Sequence, residues 1–125
     1  MSQVVVRPHA AIYPDATGEA VATLAVEVVA GDEPAVVTSV GWTVESDTGS
    51  AGVFVGMPRS RHPQPRLPHE IAPCDHATWM ITPEEIRRLL ANSDLTAQID
   101  ESSAVLTAYA IVNDVRVVAT ETVGL

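Results

Sequence analysis

Residues Ala20–Glu45 read AVATLAVEVVAGDEPAVVTSVGWTVE. The stretch decides the fold because apolar residues recur at every second position. In the first half Ala22, Leu24, Val26 and Val28 share one face, with Thr23, Ala25 and Glu27 on the other. In the second half Val36, Thr38, Val40, Trp42 and Val44 alternate with Val37, Ser39, Gly41, Thr43 and Glu45. A period of two belongs to a β-strand with one buried face. Between the halves, Gly31-Asp32-Glu33-Pro34 breaks the pattern, since glycine tolerates unusual φ and proline lacks a ladder donor.

On the N-terminal side, Gln3–Val6 reads as a short strand stopped by Pro8, and Ala10–Tyr13 as its continuation on a sheet edge before the Pro14–Gly18 turn. On the C-terminal side, Ser46–Gly52 (SDTGSAG) has loop composition and Val53–Val55 that of a brief strand. His76–Ile81 reads as a strand with Trp79 and Ile81 on one face. Thr82 then caps a helix over 83–91, with Pro83 at the first helical position and Glu85 completing a capping box. Ile86, Leu89 and Leu90 form its apolar stripe, Arg87 and Arg88 point away, and Asn92-Ser93-Asp94 ends it. Leu95–Ile99 is read as a strand and Asp100–Ser103 as a break. The last signal is a hairpin: AVLTAYAIV and VRVVATETV flank Asn113-Asp114, two residues that accept positive φ. This register sets Val112 opposite Val115, Ala110 opposite Val117 and Ala108 opposite Ala119. The core face is then Leu106, Ala108, Ala110, Val112, Val115, Val117 and Ala119.

Seven to nine short strands with turns every 8–12 residues predict an all-β, immunoglobulin-like antiparallel β-sandwich with one short helix. The 125 residues make one domain large enough to bury a core unaided. The apolar content of 46%, mostly Val and Ala with five aromatics, is that of a folded, strand-rich chain. Trp42 and Trp79 both fall on apolar strand phases and are expected to anchor the core.

Seven arginines, no lysine and a formal charge of −9 argue against binding nucleic acid through the general field. The bias toward Ala, Val and Arg points to GC-rich coding, hence to a high-GC bacterium or its phage. Cys74 is the only cysteine, so no internal disulfide forms. The N-terminus lacks a signal-peptide pattern, and no segment approaches the roughly 20 apolar residues of a membrane helix.

Chemistry-bearing patterns are sparse. His69-x4-Cys74-x-His76, with His62, is the one conceivable metal set, and its spacing does not match structural zinc knuckles. Cys74, Asp75 and His76 are adjacent, but neighbouring strand positions face opposite ways. There is no G-x-S-x-G elbow, no Gly-rich phosphate loop and no H-E-x-x-H pair. No catalytic residue, metal or cofactor is therefore assigned. The distinctive segment is Met57–Pro73, MPRSRHPQPRLPHEIAP, which holds five of the nine prolines and no room for a central strand or helix. It also carries Arg59, Arg61, His62 and Arg66, a local positive patch on an acidic chain. These four are the candidate partner-binding residues, and such a patch suits an acidic protein surface.

The runs Leu24–Glu45 and Leu67–Thr82 resemble small immunoglobulin-like proteins of actinobacteria and their phages. The likeness rests on Val37-Thr38-Ser39-Val40-Gly41, on Leu67-Pro68-His69-Glu70-Ile71-Ala72-Pro73 and on Trp79 after it. It covers Leu24–Thr82 and, loosely, the final hairpin. The chain departs from the pattern at Cys74-Asp75, where a glycine-containing turn is usual, and in the Pro/Arg insertion. The resemblance implies an immunoglobulin-like fold with a binding or structural role and brings no catalytic residues. The functional expectation is a non-enzymatic virion component, a capsid decoration or head–tail accessory protein that contacts a capsid or head–tail protein and is able to form homo-oligomers. The alternative is a small cytoplasmic bacterial domain binding a protein or carbohydrate. The segment Ser2–Tyr13 ranks second as a contact, through edge-strand addition to a partner.

Overall fold

The alternating stretch forms the middle of a two-sheet sandwich in the computed structural model, which describes residues 4–47, 49–54, 65–91 and 103–124. In chain order the elements are β1 (Val5–Pro14), β2 (Ala20–Val29), β3 (Ala35–Ser46), β4 (Gly49–Phe54), β5 (His69–Ile71), β6 (His76–Ile81), α1 (Pro83–Ala91), β7 (Val105–Val112) and β8 (Val115–Gly124). One sheet has the order β1-β2-β6. The other has the order β4-β3-β7-β8, with β5 also paired to β3. All these pairings are antiparallel. The chain crosses between the two sheets after β2, β5 and β6, and the result is the all-β antiparallel sandwich expected from the strand spacing.

The core lies between the sheets. Leu24, Val26 and Val28 of β2 and Ala77, Trp79 and Ile81 of β6 face Val40, Trp42 and Val44 of β3 and Leu106, Ala108, Ala110 and Val112 of β7. Ile86 and Leu90 of α1 join the same cluster. The helix begins where the sequence places it. Glu85 N–H donates to Thr82 Oγ1 at 3.0 Å, and Thr82 N–H donates to Glu85 Oε1 at 3.2 Å. This reciprocal pair satisfies donors that a helix start leaves unpaired.

Five expectations need correction. First, β1 does not stop at Pro8. Asp15 N–H bonds Glu19 C=O, and Ala30 N–H bonds Asp75 C=O on the opposite side of β2. Alternation from these two bonds turns the odd residues of β1 toward β2 and leaves Val6, Pro8, Ala10, Ile12 and Pro14 facing away. Both prolines thus occupy positions whose missing donor costs the ladder nothing.

Second, Ser46–Gly52 is not a loop: β3 continues to Ser46, and β4 starts at Gly49, directly opposite it. Glycine and serine are poor strand formers alone, but here pairing with Gly41–Ser46 holds them extended. Third, Val36 and Thr38 do not share the buried face of Val40. The register of β3 against β7 shifts between Val37 and Ser39, and the irregularity flips the side-chain phase. Ala35 and Val37 are buried as a result, while Val36 is exposed.

Fourth, Val115 is 61% exposed instead of being core, although it pairs with the buried Val112 at the hairpin tip. The expected pairs Val112–Val115 and Ala110–Val117 are present, but Ala108–Ala119 is replaced by a register shift between Thr107 and Tyr109. Fifth, the Pro-rich segment, expected over 57–73 as a loop or arm without a central strand, holds a three-residue strand, β5, between Pro68 and Pro73, paired only with β3. The strand expected at Leu95–Ile99, the helix stop at Asn92–Asp94 and most of the break at Asp100–Ser103 lie outside the described residues.

Candidate functional site

Of the four proposed contact residues, Arg59, Arg61 and His62 lie outside the described residues, and Arg66 lies within them. What the structure describes is the base from which that segment springs. Leu67 packs against the core while its neighbours Arg66 and Pro68 are exposed. The peptide bond between Leu67 and Pro68 is cis. Next, His69–Ile71 pairs with Ala35–Val37 of β3, and Ile71 is buried. From the other sheet, Trp79 Nε1–H donates to the Pro65 carbonyl at 3.0 Å. The His69 ring meets Trp79 edge-on, 5.8 Å between centroids and 81° between planes. Residues 65–71 are therefore tied to both sheets, to β6 through Trp79 and to β3 through β5.

Arg66 projects from this base into solvent and has no carboxylate partner among the described residues. Other arginines are engaged. Arg88 pairs with Glu84 at 3.3 Å, one helical turn away. Arg116 lies over the Tyr109 ring, 4.2 Å from its centroid, and donates to Thr43 Oγ1 at 3.3 Å. Tyr109 sits opposite Gly41 on β3, and burial pushes its hydroxyl above the ordinary tyrosine value, with Arg116 opposing the shift. The alternation that puts Leu106, Ala108 and Ala110 on the core face leaves Tyr109 on the opposite face and gives no sign of its burial. The cross-strand glycine is the signal that explains it, because a large ring fills the space a side chain leaves empty.

The histidines and the cysteine are dispersed. His69 is occupied with Trp79, Cys74 is exposed in a turn, and His76 lies at the start of β6. Among the described residues no group of three His, Cys, Asp or Glu side chains stands in metal-holding geometry. The turn at Cys74 is itself informative. Asp75 N–H bonds the Ala72 carbonyl at 3.1 Å, Pro73 follows Ala72, and Cys74 has φ 61°. This is a type II turn with cysteine in the position that favours glycine. Cys74 N–H also bonds the Gly31 carbonyl at 2.8 Å, fastening this turn to the one between β2 and β3.

No family model matches the chain, no curated protein matches it, and no solved structure matches it.

Proposed function

We propose that the protein is a non-enzymatic structural and interaction module of a phage virion, a capsid decoration or head–tail accessory protein, which meets its neighbour through the basic Pro-rich segment. The observation that carries the contact is the double anchoring of that segment's base. Trp79 holds Pro65 and β3 holds His69–Ile71, while Arg66 is left facing solvent. A cation on a fixed base loses little backbone entropy when it docks, which favours its use as a contact. Arg59, Arg61 and His62 extend the same charge along the chain, and an acidic surface on the neighbouring protein complements it. The virion assignment itself rests on the resemblance carried by Val37–Gly41, Leu67–Pro73 and Trp79.

Replacing Arg59, Arg61 and Arg66 together with Ser tests the contact. The variant should keep the melting temperature within a few degrees, since a surface substitution such as that of exposed Arg66 rarely changes stability by more than about 0.5 kcal/mol, roughly 2 °C for a domain of this size. It should lose most of its incorporation into particles when it competes with the unaltered protein. Equal incorporation of the two proteins would remove the segment from the interface.

A further inference from the structure

We propose that the outer edge of β1 is a self-association edge, where Ala10–Pro14 pairs antiparallel with the same residues of a second copy about a two-fold axis at Ile12. Among the described residues no strand pairs with that edge. Its first half, Val5–His9, stands across a groove of about 200 Å³ from Thr120 and Glu121 of β8. The second half is open. Ala10 and Ala11 are exposed, and Ile12, at 72%, is more exposed than any other large apolar residue described.

The alternation described above turns the backbone groups of Ala10, Ile12 and Pro14 outward. Two of these carry an N–H, and all three carry a carbonyl. Rotation about Ile12 sets Ile12 against Ile12 of the second copy and Ala10 against its Pro14. Each Ile12 N–H then meets the opposing Ile12 carbonyl, and each Ala10 N–H meets the opposing Pro14 carbonyl. Four bonds form and no outward donor of Ala10–Pro14 is left over; only the two Ala10 carbonyls, each facing a proline nitrogen, accept no bond, so the ladder is tightest at Ile12 and splays at its ends. A pattern complementary to itself under a two-fold is what a symmetric dimer requires.

Charge favours the same edge. Each copy carries −9, so a second copy approaches best where no carboxylate stands. Ala10–Tyr13 holds no charged residue, and the Asp15 carboxylate that follows is buried and takes up Thr17 N–H, Thr17 Oγ1–H and Glu19 N–H. Other edges are guarded or short. β8 carries Arg116 and Glu121 and a register shift, while β4 and β6 have six residues each and β5 three.

Sedimentation equilibrium of the full chain tests this from about 10 µM to about 1 mM, the range in which weak association appears. The average mass should climb from 13.2 kDa toward twice that value. Ile12→Lys sets two like charges against each other, and Ala10→Pro deletes two of the four bonds while leaving the ladder with β2 intact. Both variants should stay at 13.2 kDa throughout and melt at the wild-type temperature when dilute. In a Cys74→Ser background, Ile12→Cys should oxidise to a linked dimer and Val118→Cys should not, because opposed residues of a bonded pair lie about 5.5 Å apart, within disulfide reach. A wild-type protein that remains 13.2 kDa at the highest concentration overturns the proposal. So does a dimer that survives Ile12→Lys, or one that links through position 118 and not 12.

Discussion

Trp42 and Trp79 are chemically identical and both fully buried, yet they differ in one hydrogen bond. Trp79 Nε1–H reaches the Pro65 carbonyl, whereas Trp42 Nε1–H finds no partner among the described residues. Shrinking either ring to phenyl removes a similar volume from the same core, at about 1–2 kcal/mol for the lost apolar contact and the space left behind. The hydrogen-bond contributions then diverge. Trp79→Phe breaks a neutral bond and strands a part-buried carbonyl, a further loss of about 1 kcal/mol. Trp42→Phe deletes a buried donor that has no partner, and relieving that desolvation returns about 1–3 kcal/mol. Trp79→Phe should therefore be the more damaging change by about 2 kcal/mol or more, and Trp42→Phe should be close to neutral. Urea unfolding reads this directly, with the remaining tryptophan and far-ultraviolet circular dichroism as independent probes and equal m-values as the check on two-state behaviour. Equal losses in the two variants, or a larger loss in Trp42→Phe, would refute the hydrogen-bond argument. Trp42→Ala serves as the upper reference, at about 3–5 kcal/mol.

Cys74→Gly should raise the melting temperature in a calorimetric scan, since glycine relieves a left-handed backbone at φ 61° that costs a side chain about 1–2 kcal/mol and gives back only part of this as unfolded-state entropy. Thr82→Ala should cost about 1 kcal/mol in urea, and adding Glu85→Ala should cost less than the sum of the single changes because the two side chains cap one another. Tyr109 sets the alkaline limit. Its folded value lies above the ordinary 10.0, so the unfolded chain gives up its proton first. Stability is then full below about pH 10 and falls as pH rises through the folded value. Tyr109→Phe should flatten that fall in urea midpoints measured between about pH 9 and 12, and an unchanged slope would remove Tyr109 as its source.

What was legible in the sequence was local. Thr82, Pro83 and Glu85 announce α1 because capping chemistry depends on three or four neighbouring residues, and the helix spans Pro83–Ala91. Asn113 and Asp114 adopt φ 49° and 65°, as a two-residue hairpin demands, and they hold the first four cross-strand pairs in register. Asn113 does more than turn the chain: its Oδ1 accepts Val36 N–H at 2.9 Å, and its own N–H bonds the Val36 carbonyl. That contact spans most of the chain and no local pattern reveals it.

The readings that failed depended on the partner strand. The phase of β3 reverses at a register shift that exists only against β7, so Val36 and Val37 exchange faces. Gly49–Phe54 is extended because β3 pairs with it, against its own composition. Pro8 reads as a stop until the pairing with β2 shows which way its nitrogen points. At the candidate contact the sequence singled out Arg66 by charge and proline content. The anchoring through Trp79 and Pro65 appears only in three dimensions, because the two residues join opposite sides of the sandwich.

The central functional claim is that this chain works as a part of an assembled particle. Peptide mass spectrometry of density-banded particles from the source lysate measures it most directly. The chain should appear in the particle band at a fixed ratio to the capsid protein, and should be lost from that band when Arg59, Arg61 and Arg66 are replaced by Ser. Recovery of the chain only in the particle-free supernatant would contradict it.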